Sequence, residues 1–353
     1  MKREKIAILG GSFNPPTLAH LRIVQSALDQ LGAERGIFIP SCDKYVAHKI
    51  KKSGRPVEDA LPAILRVLML EATIRDDPRL EVDERELAGS TGRTLLTLQE
   101  IGRENPDAEL YYIFGGDKLD VLAGWKTFVE VTEAAKLIVF AREDYDPAAI
   151  IRENEALRER ADALVVLREP EGISEISSTL VRQRAARGES IDDLLAPGAT
   201  RLYRWEVAKK GAIIRFDGAV KALANDFPTP IKRAGTTFSS VEAALQAAKS
   251  LDPEVRARFK GLDASEARAL GETIAVRPDW DEVKDAETED LLRVKFGKYP
   301  NLKKILLSTE NKELIDGGID RDLYWGFDFR RVAGQNRLGE ILMKIREELR
   351  ARG

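Results

Sequence analysis

The sequence predicts two domains, an α/β domain built on a parallel sheet and, after it, a smaller α-rich α+β domain. The chain has 353 residues, more than the roughly 100 to 200 residues of one typical domain. In the first half, short β-branched runs alternate with helical patterns, which is the order expected of parallel strands with covering helices. In the second half few runs beyond GAIIRF resemble strands, whereas most segments have helical periodicity.

The predicted strands of the first half are apolar runs separated by helical segments. In chain order they are KIAILG, GIFIP, RLEVDE, ELYYIFGG, KLIVFAR and ALVVLRE. The first helical segment, HLRIVQSALDQL, has one apolar stripe at helical spacing, formed by Leu21, Val24, Leu28 and Leu31. The pattern becomes irregular at Pro197 and Gly198, so we place the junction near residues 200 to 212, with domains at 1–200 and 212–353.

Composition narrows the class of protein. Apolar residues make up 43% and charged residues 33%, and neither a run of about 18 apolar residues nor a signal-peptide pattern occurs. We therefore expect a cytoplasmic protein without a membrane partner. The single cysteine, Cys42, excludes an internal disulfide, and two histidines are too few for a Cys/His zinc cluster. A net charge of −3 argues against coating nucleic acid, so small molecules are the expected partners.

The stretch GGSFNPPTLAH, residues 10–20, lies between the first predicted strand and the first predicted helix. A glycine pair lets backbone N–H groups approach a ligand, and the helix N-terminus that follows favours an anion. That geometry suits a phosphate. The stretch matches neither a P-loop nor GxGxxG, so on these residues alone a structural turn remains an alternative.

This stretch resembles the signature of the nicotinamide-mononucleotide adenylyltransferase family, GxFxP followed by [HT]xxH, with Thr17 and His20 at the last pair. The resemblance implies a Rossmann-like nucleotidyltransferase domain. It also implies phosphate or ATP contacts along the signature, from Gly10, Gly11, Ser12, Phe13 and Thr17.

A second segment, ISSTLVR at residues 176–182, resembles the ISSTxxR motif of the same family. Ser177 and Ser178 can cap a helix whose N–H groups face a triphosphate, and Arg182 supplies a fork of donors one turn later. An ordinary serine cap with a surface arginine is the alternative if the motif stands alone.

Three weaker matches lie between these motifs. Gly115-Gly116-Asp117 resembles the family's Gly-x-Asp turn at the nucleotide, where Gly115 and Asp117 would bind ATP. Trp125 resembles a tryptophan that stacks on the pyridine ring, although a core tryptophan is the alternative. His48-Lys49 resembles a basic pair in the loop after the second strand, with Lys49 near the phosphates; an exposed loop pair is the alternative.

The family's reaction is attack by a mononucleotide phosphate on the α-phosphorus of ATP, which makes a dinucleotide and releases pyrophosphate. Catalysis would consist mainly of positioning and charge neutralisation, with Mg²⁺ carried by ATP and no confident metal ligand from protein side chains. His20 is assigned to the phosphate that develops charge. The amide or acid form of the mononucleotide stays open, as does another phosphate acceptor.

In the second half, the segment SSVEAALQAAKS places a carboxylate, an amide and an amine on one helix face. Glu242, Gln246 and Lys249 fall at i, i+4 and i+7. Ser239 and Glu242 also satisfy the S-x-x-E capping box, so Glu242 could instead close the helix N-terminus.

Six ordered segments, from LANDFPTPI to YWGFDFRRVAGQNRLGEILMKIR, resemble the NADAR family, whose YbiA-like members are N-glycosidases. For that reaction Glu242 is the candidate carboxylate, and Lys249 is a candidate either to bind a phosphate or to trap the opened sugar as an imine. Trp280 and Trp325 are candidate base-stacking rings, with core packing as the alternative for both. Further ligand contacts are expected from Asn225, Gln246, Gly334 and Asn336. Ala243 and Ala244 replace an aromatic or histidine common in the family, which leaves the substrate open.

Two classes of function follow. The first is a bifunctional enzyme of pyridine-nucleotide metabolism that joins adenylyl transfer to hydrolysis of an N-glycosidic bond in a ribosyl or ADP-ribosyl compound. The second is an adenylyltransferase regulated by a second domain that senses NAD or ADP-ribose without turnover. Nucleic acid would be a partner if an ADP-ribosylated base were the second substrate. A homo-oligomer is compatible with either class.

Overall fold

The computed structural model describes residues 3–89, 94–114, 119, 122, 124–141 and 145–352. The chain divides into two compact units, Met1–Ala208 (unit 1) and Lys209–Gly353 (unit 2). No helix within the described residues is long and apolar enough to cross a membrane.

Unit 1 contains a six-stranded parallel sheet whose order is β3-β2-β1-β4-β5-β6. All six predicted strand runs contribute to it. The order reverses between β1 and β4, and this is the switch point at which Rossmann-like sheets bind nucleotides, beyond the carboxyl ends of the strands. The strands are β1 Lys5–Gly11, β2 Arg35–Pro40, β3 Leu80–Val82, β4 Glu109–Ile113, β5 Lys136–Ala141 and β6 Leu164–Arg168.

Helices pack on both faces of this sheet. Successive side chains of a strand point to opposite faces, and the apolar residues on each face need a layer that covers them. Ile6 and Ile8 of β1 belong to one apolar cluster, and Ala7 belongs to a second. The stripe predicted on the first helix is confirmed, since Val24 and Leu28 are fully buried. The helices are α1 Leu18–Leu31, α2 Asp43–Lys52, α3 Ala63–Ile74, α4 Thr94–Glu104, α5 Phe128–Ala134, α6 Pro147–Glu153, α7 Glu155–Arg158, α8 Ser178–Ala186 and α9 Pro197–Ala208.

Unit 2 is rich in helices and has two small sheets, which confirms the predicted α+β class. An antiparallel hairpin and a two-residue parallel pair supply its strands: β7 Ile231–Arg233, β8 Thr236–Phe238, β9 Gly317–Gly318 and β10 Phe327–Asp328. Its helices are α10 Val241–Ala248, α11 Pro253–Ala257, α12 Ala264–Gly271, α13 Trp280–Lys298, α14 Pro300–Leu307 and α15 Arg337–Ala351.

Helix α10 lies in the centre of the unit 2 core. Four of its residues are alanines that are at most 5% exposed, and small side chains let neighbouring helices approach closely. The segment that carries Glu242 is therefore held on several sides by packing.

Candidate functional sites

Gly10 and Gly11 end strand β1 and pair with Ile39 and Pro40 of β2. Both glycines leave room for an aromatic side chain. A Cβ atom on Gly10 would lie 2.8 Å from the Tyr112 hydroxyl, and one on Gly11 would lie 3.3 Å from the Phe13 ring. The glycine pair therefore lets two aromatic side chains approach the end of the strand closely.

The signature loop that follows has an unusual backbone. Phe13 adopts a φ of 44°, in the left-handed region that bulky residues rarely occupy. The next side chain holds the loop, because the Asn14 amide accepts from the N–H of Leu61 at 2.8 Å and donates to the carbonyl of Asp59 at 2.9 Å. These bonds fasten the loop to the segment before α3.

Arg66 of α3 is fully buried and supports the same loop. Its guanidinium donates to the carbonyls of Ser12 at 2.9 Å, Ser41 at 2.7 Å and Leu61 at 3.1 Å, and to the Asp43 carboxylate at 2.9 Å. The sequence reasoning missed this residue. One arginine inside the apolar run ILRVLMLEATI was the signal that could have found it, since buried arginines need partners.

His20 is locked to the start of its own helix. Its Nδ1 accepts from the backbone N–H of Thr17 at 2.9 Å, and the Thr17 hydroxyl lies 2.7 Å from the same nitrogen. Burial lowers the pKa of His20 to about 4, with a smaller contribution in the same direction from the Lys49 charge. The ring is therefore neutral at pH 7, and with Nδ1 accepting, Nε2 carries the proton.

The second motif begins helix α8 and lies against the signature loop. Ser177 is the N-cap, and its hydroxyl accepts from the N–H of Leu180 at 3.1 Å. Ser178 does not cap, contrary to the expectation for the pair. Its hydroxyl instead donates to the carbonyl of Pro15 at 2.7 Å, which fixes the helix N-terminus beside the loop.

Arg182 strengthens this junction. Its guanidinium donates to the Asn14 carbonyl at 2.5 Å and to the Thr179 hydroxyl at 3.0 Å. Burial lowers the pKa of Arg182, and the positive charge of Arg55 lowers it further. Arg55, which pairs with Asp59 at 3.1 Å, is a second cation near the loop that the sequence reasoning missed.

His48 and Lys49 lie on helix α2 and are exposed, so their placement in a loop was wrong. Helix α2 begins three residues after β2, which leaves little loop in which to place them. The effect of Lys49 on the pKa of His20 puts that charge within electrostatic reach of the histidine.

The remaining unit 1 candidates are less informative. Gly115 and Asp117 lie outside the described residues. Trp125 is partly buried against the core, and its ring meets Phe114 edge to face at 5.3 Å, in agreement with the core alternative.

In unit 2, the capping role for Glu242 is wrong. The N-cap of α10 is Ser240, whose hydroxyl accepts from the N–H of Ala243 at 3.0 Å. Ser239 instead donates its hydroxyl to the carbonyl of Leu262. Because the helix begins one residue later than the capping box required, the Glu242 carboxylate serves another purpose.

Glu242 is 9% exposed and takes part in an ionic network. Its Oε1 accepts from the Gln246 amide at 2.9 Å and from Nε of Arg268 at 3.1 Å. Arg268 also reaches the Asp226 carboxylate at 3.5 Å. Both hydrogen bonds to the Glu242 carboxylate end on one oxygen, so within the described residues Oε2 is available to a ligand.

Lys249 is the C-cap of α10 and keeps helical backbone angles, with φ −62° and ψ −20°, so its shared face with Glu242 and Gln246 stays a prediction. Glu242 and Gln246 are bonded, but Lys249 follows the last residue of α10, and no hydrogen bond or ion pair of its amine to a described residue is found. Its carbonyl accepts from the N–H of Arg277 at 2.7 Å.

Asn225 and Asn336 behave differently. The Asn225 carbonyl accepts from the N–H of Glu242 at 2.9 Å, and its side-chain oxygen is buried without a hydrogen-bond partner in the described structure. The Asn336 amide donates to the Leu314 carbonyl at 2.8 Å and accepts from the N–H of Asp316 at 2.9 Å, so backbone groups use both ends of its side chain.

Gly334 has a φ of 146° and lies against Gly326, where a Cβ atom would be 2.2 Å from a carbonyl oxygen. Trp280 and Trp325 are both partly buried against the unit 2 core, and Trp325 meets Tyr324 edge to face at 5.0 Å. The position of both tryptophans agrees with the core alternative and leaves base stacking a prediction.

Lys295 of α13 is a third residue that the sequence reasoning missed. It is fully buried, and its amine donates to the Ala224 carbonyl at 2.7 Å. Burial lowers the pKa of Lys295 to about 7. This bond supports the chain immediately before Asn225 and Asp226.

Among the described residues, no group of three or more His, Cys, Asp or Glu side chains could hold a metal ion.

Comparisons with known proteins match each half of the chain. A cytidylyltransferase-like family model matches residues 8–184, about half of the chain, and a NADAR domain model matches residues 208–350. A "Probable nicotinate-nucleotide adenylyltransferase" of Lachnoclostridium phytofermentans is 35% identical over 202 residues, 57% of this chain and 96% of that protein. One from Maridesulfovibrio salexigens is 33% identical over 150 residues, 42% of this chain and 66% of that protein.

Two solved structures resemble the separate halves. Plasmodium falciparum nicotinic acid mononucleotide adenylyltransferase, complexed with NaAD, covers 59% of this chain and 98% of its own, with 16% identity and a TM-score of 0.46. The E. coli protein YbiA covers 40% of this chain and 87% of its own, with 30% identity and a TM-score of 0.37. The chain therefore belongs to the cytidylyltransferase-like family of nucleotidyltransferases, as a member whose nucleotidyltransferase half is followed by a NADAR domain.

Proposed function

We propose that unit 1 transfers the adenylyl group of ATP to nicotinate mononucleotide, or to its amide, and releases pyrophosphate. The names of its relatives support the acid acceptor. The observation that carries the proposal is the junction of two motifs about 160 residues apart. The Ser178 hydroxyl and the Arg182 guanidinium both bond carbonyls of the signature loop, which also leads to His20.

In this mechanism the neutral His20 ring donates its Nε2 proton in a hydrogen bond to the phosphate that develops charge. The N-terminal amides of α8 and the cations Arg182 and Lys49 neutralise the remaining phosphate charge. Mg²⁺ bound to ATP would further neutralise the polyphosphate. No covalent intermediate is required, because the acceptor phosphate attacks the α-phosphorus directly and pyrophosphate leaves.

The test is to incubate the full-length protein with ATP, Mg²⁺ and either nicotinate or nicotinamide mononucleotide, and to follow dinucleotide formation by mass spectrometry. His20→Ala is compared with Ser26→Ala, a change farther along the same helix. Dinucleotide from wild type and Ser26→Ala, but not from His20→Ala, is expected. Near-normal turnover by His20→Ala would reject the role of the histidine, and no product with either acceptor would reject the substrate.

For unit 2 we propose hydrolysis of an N-glycosidic bond in a ribosyl or ADP-ribosyl compound. The observation that carries this proposal is the buried Glu242 carboxylate, whose two bonds leave one oxygen for a ligand. Breaking a ribosyl C–N bond creates positive charge at C1. A nearby carboxylate either stabilises that charge or activates the water that attacks C1. The Lys249 amine, which has no partner among the described residues, is suited to a substrate phosphate.

Base release from ribosylated probes tests this activity. Glu242→Gln keeps the shape and removes the charge, and Glu254→Gln on the exposed start of α11 is its control. Equal rates for wild type and Glu242→Gln would reject the carboxylate role. Binding of ADP-ribose without base release, together with a change in adenylyl transfer, would favour the sensor alternative.

A further inference from the structure

Unit 2 holds a second buried carboxylate that the mechanism above does not use. Asp316 is 8% exposed, and its Oδ1 atom is buried without a hydrogen bond in the described structure. Arg321 forms an ion pair with this oxygen at 3.3 Å. A buried carboxylate with so few partners is unusual, since buried charges are normally both paired and hydrogen-bonded.

The backbone around Asp316 is fixed on both sides. Its N–H donates to Oδ1 of Asn336 at 2.9 Å, and its carbonyl accepts from the N–H of Phe327 at 3.0 Å. A Cβ atom on Gly326 would lie 2.5 Å from that carbonyl oxygen. The backbone that carries the carboxyl group is thus held in place, and a fixed backbone favours a precisely placed proton donor.

Four charged groups act on this carboxyl. Burial raises the pKa of Asp316, the negative charges of Asp226 and Glu242 raise it further, and Arg321 and Arg268 oppose the shift. Asp316 and Glu242 therefore belong to one electrostatic neighbourhood. Asn225, which bonds the Glu242 backbone, adds a buried side-chain oxygen without a partner, and an unpaired acceptor of this kind calls for a ligand donor such as a ribose hydroxyl.

We propose that Asp316 is the acid that protonates the departing nitrogen in unit 2, and that Glu242 receives the proton of the attacking water. The inference rests on the proposed glycosidase function. In glycoside hydrolysis two carboxyl groups beside the scissile bond divide these roles, one as the acid and one as the base. The buried and sparsely bonded Asp316 suits the acid, and the Arg268-bonded Glu242 suits the base.

The step balances as follows. The C1–N bond breaks and its electron pair goes to nitrogen, which takes the Asp316 proton and leaves as a neutral amine. Water adds to C1 and gives one proton to Glu242, so ribosyl–NH–base and water become ribosyl–OH and H₂N–base. Proton exchange with solvent restores both carboxyl groups.

The test uses ADP-ribose conjugates of two arylamines, 4-methoxyaniline and 4-nitroaniline, with full-length protein. Nitroaniline departs more readily without a proton, so a missing acid matters less. Asp316→Asn is expected to lose about 10²- to 10³-fold on the methoxy conjugate and much less on the nitro conjugate. Asp320→Asn, an exposed change four residues away, is expected to match wild type on both.

Two readouts separate this role from a structural one. The fall in wild-type kcat/KM at high pH, where Asp316 loses its proton, is expected to be absent in Asp316→Asn. In ¹³C NMR, the Asp316 carboxyl is expected to titrate above the usual aspartate range and to move down in Glu242→Gln. Equal losses on the two conjugates, or an ordinary titration, would overturn the acid role alone. Wild type that hydrolyses neither conjugate would reject the glycosidase function and the acid with it.

Discussion

His20 and Glu242 both lie in the first turn of a helix, yet they are held in different ways. His20 is the third residue of α1, and its ring reaches back to the N-cap backbone of Thr17. Glu242 is the second residue of α10, and its carboxylate accepts from Gln246 one turn later and from Arg268 of α12. Within the first turn of a helix, the His20 ring is thus oriented by its own helix start, whereas the Glu242 carboxylate is also oriented by a separate helix.

The difference predicts how each site responds to change. The histidine should tolerate changes elsewhere while its own helix start persists. The carboxylate should also respond to a substitution far along the chain, because one of its two donors, Arg268, comes from another helix.

The largest expected effect comes from the two central residues themselves. His20→Ala is expected to lower adenylyl transfer by about 10²- to 10⁴-fold and to leave base release unchanged. Glu242→Gln is expected to lower base release and to leave adenylyl transfer unchanged. Both rates are measured on the same preparations, with thermal unfolding as the check on folding. Loss of both activities in either variant would contradict the statement that the two activities use separate sites.

The next largest effect is expected from Arg66→Met, which tests whether the loop before His20 is held by local contacts alone. Removing the guanidinium leaves three carbonyls without this donor, two of them in buried bonds, which is expected to cost about 3 kcal/mol of unfolding free energy. Chemical denaturation measures this cost. Arg75→Met, an exposed change at the end of the same helix, is the control. An equal, small effect in both variants would show that the loop holds its shape without Arg66.

Acidification tests the lowered pKa of His20 through its effect on the stability of the fold. Because folding lowers the pKa of His20 to about 4, the unfolded chain takes up this proton first as pH falls below about 6.5. The contribution of neutral His20 to the free energy of unfolding is therefore complete above about pH 6.5. It is lost as the pH falls towards 4, by up to about 3 kcal/mol. Stability of His20→Gln is expected to depend less on pH in this window. A parallel pH profile would contradict the shift.

The smallest effect is expected from Arg268→Gln, which tests how far a separate helix orients the Glu242 carboxylate. It removes one of two donors to the Glu242 carboxylate, and we expect base release to fall by about tenfold, an effect of about 1.4 kcal/mol. Arg258→Gln, an exposed arginine before α12, is the control. In the double variant with Glu242→Gln, the arginine change is expected to add little, because its partner has lost the charge. Full additivity would contradict the contact.

Much of the fold was predictable, for physical reasons that particular segments show. The four inner strands of unit 1, β1, β2, β4 and β5, are buried or partly buried along their whole length, so each leaves an apolar run in the sequence. The edge strands β3 and β6 keep fewer buried residues, but their β-branched and leucine residues still mark them. The stripe on α1 was equally legible, since Val24 and Leu28 face one core. The strands of unit 2 were harder, because β9 and β10 have two residues each and carry no periodicity.

The sites were predictable where a motif is local and not where contacts are distant. Thr17 and His20 are three residues apart, and their bond follows from helix geometry. Arg66 and Asp316 act through backbone groups remote in sequence, and no spacing rule reveals such partners. The start of α10 was misjudged because two serines stand side by side and either could cap.

The bond between Thr17 and His20 has an evolutionary consequence. One contact both begins α1 and aims the ring. Selection for folding and selection for turnover therefore act on the same pair of residues. A descendant that no longer transferred adenylyl groups would still be under pressure to keep both residues for the sake of its first helix. Retention of this pair in a relative is thus evidence of an intact helix start, and inheritance of the chemistry has to be judged from other positions.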